Sequence, residues 1–171
     1  MTLKMLRNLC LILGLGLTVA AVSAAPFVSP HGYSVTPPPG WQINPSHVGD
    51  DVVIDYKKNV ATDGTPNLRV DITPMGGAAT LEALKPAVIS GYTKRFPGLV
   101  VKSQTFSSLG GVRDLNLVFT EPKNGILMYL HQIYVLKNGS AYIFTAVYPE
   151  RSRAKYDAPV AQMLASVRWK P

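Results

Sequence analysis

The sequence predicts an α+β domain in which an antiparallel sheet of about six strands packs between helices. Several segments alternate apolar and polar residues with the period of a half-buried strand. Two other segments repeat apolar residues at helical spacing and stand apart from the strand patterns. In the second half of the chain, the turn pairs Gly110-Gly111 and Asn138-Gly139 join consecutive strand patterns. We therefore expect an antiparallel meander there, closed by a helix.

The chain begins with a predicted signal peptide. Two basic residues precede an uncharged apolar run of 14 residues, 9–22, and small residues follow up to a predicted cleavage point near Ala24 and Ala25. The run is shorter than the roughly 18–20 residues that a membrane-spanning helix needs, and the small residues favour cleavage. We expect residues 1–24 to be removed, and residues 25–171 to form one periplasmic or secreted domain.

Composition limits the chemistry of the mature protein. Removing 24 of the 171 residues leaves 147, with 15 basic and 10 acidic side chains and a net charge of +5. The cysteine of the chain, Cys10, lies in the predicted signal peptide, so disulfides, thiolate catalysis and zinc–cysteine sites are excluded. The positive charge suits an anionic envelope surface or an acidic partner protein, and we expect no nucleic acid partner outside the cell.

The first half of the chain contains three predicted strands. Residues 33–36 alternate as a strand and end at Pro37-Pro38-Pro39, because proline cannot donate to a strand ladder. Trp41 follows this turn and is predicted to anchor the core. Residues 51–57 and 67–73 repeat the alternation, which predicts two more strands with one wet face.

A first helix is predicted after these strands. Apolar residues recur at helical spacing from residue 81 to residue 96, Thr80 can cap the start, and Pro97-Gly98 ends the element. Pro86 lies close to the start of this pattern. It is predicted either to kink the first turns or to delay the regular helix until about Leu84.

The meander fixes the position of one histidine. If Asn138-Gly139 forms a two-residue turn, Lys137 faces Ser140, and counting back along both strands places His131 opposite Ala146. His131 then lies among apolar neighbours. We therefore predict a neutral, hydrogen-bonded core histidine rather than a catalytic base.

The chain is predicted to close with a second helix. Its apolar face comprises Tyr156, Val160, Met163, Leu164 and Val167. Asp157 is a possible N-cap, and Pro159 is expected in the first turn, where a missing backbone N–H costs nothing. The basic run Arg151, Arg153 and Lys155 just before it is either a solvated loop or a contact for anionic surfaces.

Several of these patterns together resemble the PsbP, Mog1 and DcrB-like superfamily. The strand 33–36 leading into Pro39-Gly40-Trp41 resembles the entry motif of that superfamily, and residues 139–146 and 164–168 resemble its last strand and closing helix. The order of the elements agrees over nearly the whole mature chain. The resemblance implies a Mog1/PsbP-like α/β/α sandwich, used by extracytoplasmic proteins as an accessory or binding module. It implies no catalytic residues and no cofactor.

The metal-like cluster of the sequence comprises His47, Asp50 and Asp51. One imidazole and two carboxylates suit zinc, manganese or copper, but at least one further ligand must come from elsewhere in the chain. The other interpretation is a polar turn whose aspartates solvate the start of the next strand. We expect no bound metal here, and these three residues are the candidate ligands if a metal binds.

The sequence contains no sign of a catalytic set. It has three histidines, but no Gly-x-Ser-x-Gly segment singles out a nucleophilic serine. The leading hypothesis is therefore a non-enzymatic, exported accessory or binding domain of the cell envelope, with another envelope protein or an anionic envelope surface as partner. The alternative is a small-ligand or metal-binding envelope protein that uses the loop of His47, Asp50 and Asp51.

Overall fold

The structure is a computed structural model that describes residues 25–44, 51–57, 66–76 and 79–171. The predicted signal peptide, residues 1–24, lies outside the described residues. Within the described ranges the strands are β1 (Phe27–Val28), β2 (Tyr33–Val35), β3 (Trp41–Asn44), β4 (Val52–Tyr56), β5 (Asn67–Pro74), β6 (Val100–Leu109), β7 (Val112–Lys123), β8 (Ile126–Lys137), β9 (Ser140–Pro149) and β10 (Arg168–Trp169). The helices are α1 (Leu81–Arg95) and α2 (Arg153–Ala165).

The strands form two antiparallel sheets. A seven-stranded sheet has the order β3-β4-β5-β9-β8-β7-β6, and a small sheet has the order β1-β2-β10. The predicted α+β class and antiparallel sheet are confirmed, although the main sheet has seven strands rather than about six. The first predicted strand, β2, lies in the small sheet because Ser34 and Tyr33 pair with Arg168 and Trp169 near the end of the chain. Because the paired residues are far apart in the sequence, no local pattern predicts the pairing of β2 with β10.

The meander is confirmed in detail. Lys137 faces Ser140, and His131 faces Ala146, as the two-residue turn requires. Asn138 and Gly139 both have positive φ angles, 51° and 73°, which give the turn the twist of the strands that it joins.

One face of the seven-stranded sheet packs against α2 and the small sheet. Buried aromatic side chains from all three layers meet here, with Tyr33 of β2 5.6 Å from Phe144 of β9 between ring centroids. Trp41 is 1% exposed, which confirms it as a core anchor. Its ring lies edge-on to Tyr156 of α2, at 6.2 Å between centroids.

The opposite face carries α1, so the layers form the predicted α/β/α sandwich. Thr80 Oγ1 accepts a hydrogen bond from the Ala83 amide at 3.2 Å, and the helix begins at Leu81 rather than near Leu84. Pro86 lies inside the helix. Capping and the burial of Leu81 hold the first turn on the N-terminal side of the proline.

The second helix begins earlier than predicted. A short 3-10 turn, Glu150–Ser152, leads directly into α2 at Arg153, so Asp157 and Pro159 lie inside the helix and not at its start. The apolar periodicity missed this beginning because the first turn of α2 is polar and basic. Asp157 instead accepts hydrogen bonds from the Tyr148 hydroxyl at 2.7 Å and from Arg153 at 3.0 Å.

Candidate functional site

The candidate site is a polar cleft of about 420 Å³ between α2 and the strands β6 to β9. We call it the His131 cleft. Its polar lining includes Ser107, Asp114, Asn116, Tyr129, His131 and Asp157. Apolar residues of α2 and the sheet, among them Val160, Leu164 and Ile133, complete the walls.

His131 lies on the α2 face of the sheet because its strand alternates, with Tyr129 and Ile133 on the same face. Its Nε2 lies 2.7 Å from the side-chain oxygen of Asn116. That oxygen only accepts hydrogen bonds, so Nε2 carries the hydrogen and Nδ1 is an acceptor. Desolvation lowers the pKa of His131, although nearby Asp114 and Asp157 act to raise it. The imidazole is therefore neutral and hydrogen-bonded as predicted, but it is half-buried and lines a cleft.

A carboxylate that sequence analysis missed lies beside this histidine. Asp114 is 1% exposed, and its Oδ1 accepts hydrogen bonds from the Ser107 hydroxyl at 2.7 Å and the Asn116 amide at 2.5 Å. The Asn116 amide also donates to Ser107 Oγ at 2.7 Å, which fixes the orientation of the amide group. The register of β6 and β7 produces this cluster, because Ser107 pairs directly with Asp114.

The other wall of the His131 cleft is built from aromatic and charged side chains. Burial, followed by the hydrogen bond to Asp157, raises the pKa of the Tyr148 hydroxyl. Arg153, which pairs with Asp157, also places its guanidinium 4.5 Å from the ring centroid of Tyr129. Lys155 lies 4.8 Å from the ring of Tyr56. The basic run at the start of α2 is therefore partly committed to contacts within the fold.

The loop of His47, Asp50 and Asp51 is described only at Asp51. The Asp51 carboxylate accepts a hydrogen bond from the Tyr33 hydroxyl at 2.5 Å and lies 3.7 Å from His31 Nε2. Burial and this carboxylate together raise the pKa of Tyr33. His47 and Asp50 lie outside the described residues, so the metal-binding alternative stays a prediction. Elsewhere in the described ranges, no group of three or more His, Cys, Asp or Glu residues is placed to hold a metal ion.

Comparisons with known proteins identify the fold. No protein-family model and no curated protein matches the chain. The solution structure of the cyanobacterial PsbP protein CyanoP from Synechocystis sp. PCC 6803 superposes with a TM-score of 0.65 at 15% identity, covering 92% of this chain and 98% of CyanoP. LpqN of Mycobacterium tuberculosis has a TM-score of 0.64 at 17% identity, with coverage of 86% and 90%. The chain has the PsbP/Mog1-like fold.

A third structure extends this likeness beyond bacteria. The Saccharomyces cerevisiae Ran-binding protein Mog1p superposes with a TM-score of 0.57 at 9% identity, covering 81% of this chain and 90% of Mog1p. At these identities the PsbP/Mog1-like likeness establishes the fold alone. The predicted resemblance is thus confirmed at the level of fold. Neither α1 nor α2, the helices of the described ranges, is long and apolar enough to span a bilayer.

Proposed function

We propose that this protein is an exported, non-enzymatic binding domain that serves as an accessory component of the cell envelope. Export is supported by the predicted signal peptide at residues 1–24. Use of the fold for binding is supported by Mog1p, a Ran-binding protein, and an envelope role by LpqN, which is involved in cell envelope biogenesis.

The arrangement of the His131 cleft carries the non-enzymatic part of the proposal. A nucleophilic serine needs a base within hydrogen-bond distance of its hydroxyl, about 2.6–3.2 Å. The Ser107 hydroxyl instead donates to the Asp114 carboxylate, and His131 is bonded to Asn116 through Nε2. Serine, histidine and aspartate are thus close together but not connected in a relay. The cleft has groups that can orient a ligand and lacks an activated nucleophile.

Cell fractionation with mass measurement of the recovered protein tests export. We expect the protein in the periplasmic or secreted fraction, with a mass that corresponds to loss of residues 1–24. A variant with the apolar run broken by Leu13→Arg is expected to stay in the cell at full length. Recovery of the natural chain from the cytosol with Met1 intact would contradict the proposal.

A panel of esterase and glycosidase substrates tests the absence of catalysis. We expect the same background rate for the natural protein, Ser107→Ala and His131→Ala. Ser90→Ala is the matched control, because Ser90 is exposed on α1 and belongs to the opposite face. Turnover that disappears in Ser107→Ala and persists in Ser90→Ala would show that the protein is an enzyme.

A further inference from the structure

A second cleft lies on the other side of the sheet, between the C-terminal half of α1 and the strands. Its volume is about 600 Å³, and we call it the Gly91 cleft after the helical glycine in its wall. Volumes of about 300–1,000 Å³ are typical of small-molecule sites. The cleft shares no lining residue with the His131 cleft, so the two sites are independent.

The Gly91 cleft has an apolar floor. Met128, Leu130 and Val147 of the central strands β8 and β9 line it from below together with Thr145, and Val88 and Phe96 line it from the helix side. Water against these side chains gains little hydrogen bonding, so an apolar ligand that displaced it would be favoured.

Gly91 lies in the helical wall of the cleft, beside open space. Glycine destabilises the interior of a helix relative to alanine, so its presence there calls for a reason. A Cβ atom at this position would meet nothing within 4 Å in the described part of the chain. Packing of α1 against the sheet therefore does not require a glycine. The open space there can accommodate part of a ligand, or a bulky side chain introduced at this position.

The rim of the Gly91 cleft is positively charged. Arg69, Arg95 and Lys123 line it together with a single carboxylate, that of Glu121. Arg69 is paired with Asp71 at 3.3 Å. Arg95 and Lys123, in contrast, have no carboxylate within 4 Å in the part of the chain that the structure describes. The Arg95 guanidinium also lies 5.4 Å from the ring centroid of Phe96. Two cations with no carboxylate partner in the described ranges thus lie above the floor.

We infer that the Gly91 cleft binds a monomeric, single-chain amphiphile with an anionic head group. The chain lies on Met128, Leu130 and Val147, and the head meets Arg95 and Lys123. Cationic side chains at the rim form charge-assisted hydrogen bonds with a carboxylate or phosphate head, and the wide, apolar floor takes the chain. This site goes beyond the proposed envelope role, because it depends on α1 and the sheet and not on export.

Calorimetric titration of the purified protein with sodium dodecanoate, below its micelle concentration, tests the inference. We expect one dodecanoate per chain. Dodecyltrimethylammonium, with the same chain and the opposite charge, is expected to bind at least about tenfold more weakly, and acetate not detectably. Equal affinity for the two amphiphiles would overturn the inference, and so would binding only to phosphatidylglycerol vesicles, which would indicate a membrane surface as the ligand.

Two pairs of variants assign the binding to this cleft. Gly91→Trp fills the space beside the floor and is expected to abolish dodecanoate binding, whereas Gly91→Ala is expected to retain it. Arg95→Ala with Lys123→Ala is expected to weaken binding about tenfold, whereas Lys94→Ala, on the same helix but outside the cleft, leaves it unchanged. Unchanged binding by both Gly91→Trp and the double variant would contradict the site.

The outcome stays decisive if the bulky variant is misfolded. Should Gly91→Trp lose the near-ultraviolet circular dichroism of the natural protein, Arg95→Glu with Lys123→Glu replaces it, since both positions are exposed. Dodecanoate binding that survives this charge reversal would overturn the inference. Failure of the amphiphile-binding inference would leave the export experiment unaffected. The amphiphile site and the proposed envelope role can therefore be tested separately.

Discussion

The two faces of the seven-stranded sheet are packed in different ways. On the face toward α2 and the small sheet, 20 buried residues of the described ranges form one cluster. On the face toward α1, the corresponding cluster has six buried residues, and the helix itself contributes one of them, Leu81. The helix is held at intervals, by Leu81, by the Glu82–Arg113 ion pair at 2.6 Å and by the stacking of Tyr92 on Phe119.

Because of this difference, one face of the sheet supplies most of the stability and the other leaves a cleft that a ligand can reach. Burial of apolar area is the main stabilising term in folding, so the α2 face supplies most of the stability. The α1 face leaves an open cleft on its sheet, and a ligand can reach that cleft without disturbing the larger core. Truncation of a fully buried residue on the α2 face should therefore cost more stability than truncation of a half-buried residue under α1.

The largest expected effect compares neighbouring residues that point to opposite faces. Phe144 is completely buried on the α2 face, and Ile143, the next residue along β9, is half-buried on the α1 face. Phe144→Ala is expected to lower the free energy of unfolding by about 3–5 kcal/mol, through lost burial and a cavity. Ile143→Ala is expected to lower it by less than half as much. Urea denaturation of both variants measures the two values, and similar losses would refute the proposed division between the faces.

A second prediction concerns the closure of the α2 face by the small sheet. Gly110 has a φ of 57°, and a Cβ atom there would lie 2.9 Å from both the Val167 carbonyl oxygen and the Trp169 ring. Gly111 has a φ of 84° and open space around it. Left-handed backbone conformation costs a residue with a Cβ about 1–2 kcal/mol, which is the loss expected for Gly111→Ala.

Gly110→Ala should cost more, about 2–3 kcal/mol, because the overlap with Val167 adds to the same backbone strain. Thermal and denaturant unfolding of both variants provides the comparison. Equal losses would mean that the last residues of the chain do not pack tightly against the β6–β7 turn.

A third prediction tests how α1 is held. The buried Gln132 amide donates to the Tyr92 hydroxyl at 2.6 Å, and its oxygen accepts from the Tyr134 hydroxyl at 2.9 Å. Tyr92→Phe and Tyr134→Phe each remove one of these bonds, so each is expected to cost about 1–2 kcal/mol. Hydrogen exchange should distinguish them, because only Tyr92→Phe detaches an anchor of α1. Faster exchange of α1 amides in both variants, or in neither, would argue against Tyr92 as an anchor.

Much of the fold could be predicted because its signals are local. Alternation identified β2, β4 and β5, and the turn pairs Gly110-Gly111 and Asn138-Gly139 located β6 to β9. The second pair also fixed the register that places His131 opposite Ala146. The small sheet could not be predicted, since β1 and β10 have only two residues each and β10 pairs with a segment more than 130 positions away. The start of α2 was missed for a different reason, because its first three residues, 153–155, are exposed and the core-facing side chains begin at Tyr156.

The candidate site was only partly predictable. The register gave the face and the hydrogen-bonded state of His131, but its partner Asn116 comes from a neighbouring strand. Asp114 left one signal in the sequence, as a charged residue on the side of β7 that faces the core together with Val112 and Val118. Nothing local indicates the Gly91 cleft, since its floor and its rim come from α1 and four separate strands.

The smallest expected effect is a pH dependence that belongs to the α2 face. Desolvation lowers the pKa of His131 below its ordinary value of 6.5. Above pH 6.5 the histidine is neutral in both states, and the native protein has its full stability. As the pH falls through 6.5, the unfolded chain takes up the proton first, so the free energy of unfolding decreases until the native histidine is protonated as well. The carboxylates Asp114 and Asp157 face the imidazole and act to raise its pKa, against the larger effect of desolvation.

Urea denaturation at pH 7.5 and pH 5.5 measures this contribution. The natural protein is expected to lose more stability between the two pH values than the variant His131→Gln. The glutamine amide can still donate a hydrogen bond to Asn116, but it does not titrate. If His131→Gln kept the full pH dependence, desolvation of this imidazole would not be a source of it. The small size of the effect follows from the open cleft, since water reaches one side of the ring and limits the desolvation that a closed core would impose.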